Sequence, residues 1–89
     1  MRIKTGFRLR TLGREFIITP EAETNINFNK MISLNSSAAY LWQSAEGKDF
    51  TVEDLAALLV DRYGIDMELA LKDSANIASK WVEAGIVEE

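Results

Sequence analysis

The chain contains neither cysteine nor histidine. Without cysteine there is no disulfide framework, no thiol redox chemistry and no cysteine-based zinc site. Without histidine the commonest general base and the commonest metal ligand are missing as well. A single proline and five glycines punctuate the 89 residues. No stretch approaches the roughly 20 apolar residues of a membrane span. The opening residues, MRIKTGFRLR, carry basic charge but no apolar h-region, so no secretory signal is expected. A cytoplasmic protein without a membrane partner is the expectation.

What the sequence does have is enough apolar material for one core. Hydrophobic residues make up 47% and charged residues 27%, which excludes disorder by composition. Residues 1–89 are read as a single domain near the lower end of independently folding size. The net charge of −4 hides an asymmetry. Residues 1–14 hold Arg2, Lys4, Arg8, Arg10 and Arg14 with no acid, whereas the remainder sets the other five bases against all fourteen acids.

The first half alternates with the period of a strand. In GFRLRTL, Phe7, Leu9 and Thr11 fall on one face and Arg8, Arg10 and Leu12 on the other. Gly13 and Arg14 read as a tight turn, and EFIIT continues as a second strand that Pro20 ends. INFNKMISL sets Ile26, Phe28, Lys30, Ile32 and Leu34 against Asn27, Asn29, Met31 and Ser33, a third strand. Strands are therefore predicted at about 7–12, 15–19 and 26–34, joined as an antiparallel meander.

After Leu34 the period becomes that of a helix. Asn35 is a good N-cap, and Ala38, Leu41, Trp42 and Ala45 repeat at helical spacing. Thr51 with Asp54 approximates a capping box, and Gly64 fits the C′ position of that second helix. Asp66 caps a third helix closed by Gly85. Helices are predicted near 36–46, 52–63 and 67–84. On a wheel of about 100° per residue, the third helix carries two adjacent apolar lines. One comprises Ala70, Ser74, Ile77, Trp81 and Ala84; the other comprises Met67, Leu71, Ala75, Ala78 and Val82. The fold class is α+β and winged-helix-like: a three-stranded antiparallel sheet followed by three helices.

Nothing in this order points to catalysis. No carboxylate pair stands in a recognisable motif, and Glu53 and Asp54 belong in the first turn of a helix, where acids suit the positive end. TLGREF has a lone glycine and is no phosphate loop. No catalytic residue, metal ligand or cofactor is expected, and the chain is not read as an enzyme. Trp42 and Trp81 lie on apolar stripes and read as core, while Arg8, Arg10 and Arg14 read as a solvated strand face. A small winged-helix nucleic-acid binder using the basic amino segment is the alternative. Against it, the third helix sets two Lys against Asp66, Glu68, Asp73 and Glu83, and the second sets Arg62 against Glu53, Asp54 and Asp61. Acidic helices are repelled by a duplex, so nucleic acid is not expected as a partner. A structural subunit docking a larger enzyme through the broad apolar face of the third helix is a further alternative.

The ordered series MISLNSSAAYLWQSAEGKDFTVEDLAALLVDRYGID, followed by a long helix ending WVEAGIVEE, resembles the PqqD-like family. These are the pyrroloquinoline quinone (PQQ) biosynthesis D proteins and related recognition elements of ribosomally made, modified peptides. Leu34-Asn35, the small residues before Leu41-Trp42, Gly47, Thr51 to Leu55, Tyr63-Gly64 and Gly85-Ile86 carry the likeness, over about residues 14–88. Trp81 stands where the family usually has Leu, Ala78 where a larger aliphatic is common, and residues 1–13 lack a clear counterpart. The resemblance implies a winged helix-turn-helix domain with no activity of its own. Such a domain acts as a peptide chaperone, binding the leader of a precursor peptide and presenting it to a modifying enzyme, often a radical S-adenosylmethionine (radical SAM) protein. It also implies that the leader adds as a strand beside the third strand, in a cleft lined by the third helix.

On that reading the peptide is expected along Lys30, Met31, Ile32 and Ser33. The third helix is wider in its apolar arc than a core-facing stripe requires. If Trp81 and Ile77 fill the core, Leu71, Ala75, Ala78 and Val82 are left to form a groove, with two alanines making room for an aliphatic side chain. Lys72 and Lys80 flank it and suit an acidic leader. The opposite case, in which both lines are buried and the alanines serve close helix packing, is of equal standing.

Overall fold

The computed structural model describes residues 1–20 and 32–89. Its elements are β1 (Arg2–Ile3), β2 (Phe7–Leu12), β3 (Glu15–Pro20), β4 (Ile32–Leu34), α1 (Ser36–Ala45), α2 (Val52–Tyr63), α3 (Met67–Glu83) and β5 (Val87–Glu88). The expected three-stranded sheet is present with order β2-β3-β4, all antiparallel. Residues 26–31 of the expected third strand lie outside the described residues. Leu12 pairs with Glu15, so Gly13 and Arg14 form a two-residue loop. Gly13 has φ +63 while Arg14 is not among the residues with positive φ, the pattern of a II′ hairpin turn.

Residues directly opposite in an antiparallel pair share a face. Leu9, Ile18 and Ile32 are opposite one another across the three strands, and this face meets the helices. Ile18 is fully buried there, with Phe7, Leu9, Ile32 and Leu34 packed beside it. On the outer face Arg8, Arg10 and Ser33 are exposed, whereas Ile17 and Thr19 are buried.

Each helix begins where a side chain can satisfy a free backbone donor. Asn35 Oδ1 accepts from the Ala38 N–H at 2.8 Å. Thr51 and Asp54 form the reciprocal capping box, at 3.1 and 3.0 Å. Asp66 Oδ1 accepts from the Leu69 N–H at 2.9 Å. Gly64 ends α2 in the left-handed conformation at φ 68, which only glycine adopts without strain. The three expected helices are all present, with α1 and α3 each one residue shorter than predicted. Their terminal residues, Glu46 and Ala84, serve as C-caps instead.

The core centres on Leu41, Trp42, Leu55, Ala56, Leu59, Ala70, Ala78, Trp81, Ile86 and Val87. Trp42 and Trp81 are buried, as their stripes implied, and meet edge to face at 5.4 Å and 89°. Phe50 meets Trp81 similarly at 6.4 Å. Such aromatic pairs contribute about 0.5–1.5 kcal/mol beyond their buried area. Truncating either Trp to Ala costs about 3–5 kcal/mol, a large part of what so small a domain has. The core also buries Ser74 Oγ and Trp42 Nε1 without a hydrogen-bond partner.

Two short strands depart from the sequence expectation. Arg2 and Ile3 pair with Glu88 and Val87, and Lys4 N–H donates to Ile86 O at 3.0 Å. Two residues are too few to display a period of two, so neither strand has a pattern to read. The pairing lays Ile3 and Val87 over the end of the helical core. Pro20, expected to lie beyond the second strand, is its last residue, opposite Phe7. A strand terminus tolerates proline because no ladder donor is needed beyond it.

Candidate functional site

β4 lies at one end of the sheet, with β3 as its only strand neighbour among the described residues. Leu34 ends the strand and Asn35 starts α1 by accepting from Ala38. Leu41 and Trp42, buried one turn later, fix the helix to the core. The open side of β4 is thereby held at a set distance from α3.

A narrow pocket of about 130 Å³ fills the interval. Its walls are Ile32, Leu34, Ala38, Ile77 and Trp81, with Ser33, Asn35 and Lys80 at its margins. Asn35 and Ile77 also line an adjoining chamber of about 500 Å³. Ser36, Ser37, Leu59, Tyr63, Ile65, Asp73 and Asn76 complete that chamber. The two adjoining spaces together make up the candidate cleft, whose lining mixes apolar with polar side chains. On α3 the residues bordering it are Asp73, Asn76, Ile77, Lys80 and Trp81, the first four spaced to share one helical flank. Asp73 and Lys80 stand about 10 Å apart along the helix axis, two turns at about 1.5 Å per residue. That flank therefore presents opposite charges at its two ends.

The residues expected at this site divide sharply. Ile32 and Ser33 do line the cleft, while Lys30 and Met31 lie outside the described residues. Neither space is lined by Leu71, Lys72, Ala75, Ala78 or Val82. Ala78 is buried in the core at 2% exposure, so it cannot form a groove wall. Leu71 and Val82 are half-buried against the core, and Lys72 and Ala75 are exposed. On the helical wheel Leu71, Ala75 and Val82 fall on the flank away from Asp73, Asn76 and Lys80, with Ala70, Ser74 and Trp81 between them. The cleft uses the opposite margin of the stripe from the one the alanines suggested. Ile77, assigned from the sequence to the core line, is the α3 residue that borders both spaces. Its position at the margin of the stripe, flanked by Asp73, Asn76 and Lys80, was the available signal.

Among the described residues no group of three or more carboxylates, histidines or cysteines stands close enough to hold a metal ion. No helix among them is long and apolar enough to cross a membrane.

Residues 15–87 match the family model for coenzyme PQQ synthesis protein D (PqqD). The chain belongs to the PqqD family. A search of curated proteins finds no match. Among solved structures, a lasso peptide synthetase B1 complexed with the leader peptide matches with a TM-score of 0.71 and 17% sequence identity. The match covers 99% of this chain and 96% of that one. At that identity the likeness is one of fold, and it includes the terminal strands β1 and β5, most of which lie outside the stretch matched by the PqqD family model.

Proposed function

We propose that the chain is a non-enzymatic peptide-binding adaptor. It captures the leader of a ribosomally made precursor peptide as a strand added to β4 and presents it to a modifying enzyme, a radical SAM protein being one such partner. The observation that carries this is the cleft between the open side of β4 and α3 in a PqqD-family chain. A strand edge offers unpaired backbone donors and acceptors, ordinarily a liability. Beside an apolar wall the same edge becomes a docking device, in which backbone bonds give affinity and side-chain pockets give selectivity. The leader peptide in the structurally similar lasso peptide synthetase B1 supports the reading.

On this reading Ile32 and Ser33 line the added strand, and Lys30 and Met31 continue its path. An aliphatic side chain enters the narrow pocket between Leu34 and Ile77, and a larger group fills the chamber beside Tyr63. The lack of His and Cys removes the commonest catalytic and metal-ligating groups, which suits a role without catalysis; the place proposed for that role is the cytoplasm. Isothermal titration of leader peptides encoded beside this gene, and of duplex DNA at two salt concentrations, tests the proposal. Saturable peptide binding with no salt-dependent DNA binding is expected; DNA binding without peptide binding would sink it.

A further inference from the structure

Tyr63 belongs to more than the chamber. Tyr63 and Ser36 also line a separate space of about 460 Å³ on the outer side of α1, completed by Phe16, Ala39, Tyr40, Gln43, Ser44 and Arg62. Narrow pocket, chamber and outer space thus lie in a row, each sharing lining residues with the next. At the far end of that row the Arg62 guanidinium carbon sits 4.5 Å from the centre of the Tyr40 ring and 5.9 Å from that of Tyr63. The two rings meet edge to face at 6.4 Å and 85°. We infer that Arg62, held by Tyr40 and Tyr63, is a station for a carboxylate on the bound peptide, beyond the residues seated in the cleft. This inference rests on the strand-addition reading.

Three features support it. First, the only ion pair among the described residues joins Arg2 to Asp49, so no described carboxylate neutralises Arg62. A cation in the last turn of α2 suits the helix dipole, but that accounts for its position and not for its stacking. Second, stacking on an aromatic face leaves the planar N–H fork free at its edge and pre-orders a long side chain. Less freedom is then lost when a planar carboxylate docks. Arg and Tyr are also the residue types in which binding energy concentrates. Third, residues 15–89 carry only five bases against fourteen acids. An acidic peptide is generally repelled by such a surface, so the cations along the row of spaces set where its acids can lie. Lys80 stands at the cleft end and Arg62 at the other, with Asp73 between. Ser36, Gln43 and Ser44 supply neutral hydrogen-bonding groups to the same outer space.

The test is selection from a random-peptide display library on the full 89-residue chain, repeated with Arg62→Gln and Arg62→Glu. Arg62 is exposed, so both variants keep the fold, verified by circular dichroism. Peptides selected by the parent are expected to share apolar anchors and, at one fixed spacing from them, Asp or Glu. Arg62→Gln removes that acidic preference and Arg62→Glu replaces it with Lys or Arg, while the anchors persist. In a resynthesised peptide, exchanging the acid for its amide weakens binding to the parent about three- to tenfold and costs nothing against Arg62→Gln. Anchored peptides without an acidic position, or with one that survives Arg62→Gln unchanged, overturn the inference and leave the adaptor intact. Failure to enrich any peptide overturns both.

Discussion

Among the described residues, the three-stranded sheet ends in two edges that the sequence treats in opposite ways. β2 runs six residues, with Arg8 and Arg10 exposed on its outer face and Arg14 in the turn that follows. β4, three residues long as described, carries Ile32 and Leu34 into an apolar cleft walled by α3. A second copy approaching β2 antiparallel would set arginine against arginine, and like charges directly opposed are destabilising. Charge on an edge strand is a known guard against unwanted pairing. The comparison teaches that an open edge alone does not make a binding site. What distinguishes β4 is the wall beside it and the absence of charge on its cleft-facing residues.

The largest effect should come from attacking that wall. Ile77→Lys puts a cation into a pocket of about 130 Å³ and removes the apolar surface shared by both spaces. Burying an aliphatic side chain is worth about 1.5–3 kcal/mol, so leader-peptide affinity should fall roughly 10- to 100-fold. Because Ile77 is only half-buried, thermal stability should change far less. Titration calorimetry and a melting curve together read both quantities. Unchanged affinity would move the peptide away from β4.

Next comes a matched pair of caps. Asn35→Ala and Thr51→Ala each remove one N-cap acceptor, and each should cost about 1 kcal/mol of stability. For a domain of this size that lowers the melting temperature by about 4–8 °C. Only Asn35 borders the cleft and holds the end of β4. Peptide binding should therefore weaken with Asn35→Ala and stay near parental with Thr51→Ala. If the two variants bind equally, the cleft does not depend on this junction.

The opposite edge gives a smaller and different result. Replacing Arg8 and Arg10 together by Thr should leave peptide affinity within about twofold, as distant surface changes do. It should raise self-association in sedimentation experiments by removing the guard on β2. Loss of duplex DNA binding in the same variant would instead favour the nucleic-acid alternative.

Much of the fold was legible because its signals are local. Asn35, the Thr51–Asp54 pair, Asp66 and Gly64 each fix a helix end through bonds within a few residues, and alternation around Gly13 fixes a hairpin. The strands β1 and β5 were not legible, since two residues show no period and their pairing joins opposite ends of the chain. The lining of the candidate cleft was half legible. Its strand side followed from the family resemblance, but its helix side did not follow from the wheel. A wheel gives the width of an apolar arc without saying which neighbour covers each margin. That depends on how α3 lies against α2 and the sheet. Asp73 and Asn76 looked like solvated surface because they border a cleft that only the tertiary fold creates, whereas Lys80 was already expected to flank the groove. Tyr40, off the main stripe of α1, and the Arg62-Tyr63 dipeptide were the sequence traces of the outer space.

The smallest effect is expected from Ala75→Leu, and it is the most direct test of which flank of α3 binds. From sequence alone this substitution should fill the groove and block the peptide. Ala75 is exposed and belongs to neither space beside β4, and Ala78 one turn on is already packed in the core. A leucine at position 75 therefore extends into solvent on the flank away from Ile77 and Lys80. Both residues are good helix formers, and an exposed change between them shifts stability by no more than about 0.5 kcal/mol. Leader-peptide affinity should stay within about twofold of the parent. A strong loss of binding with the helix intact by circular dichroism would transfer the peptide to the Leu71–Val82 flank. It would also leave the cleft at Ile77 without an occupant.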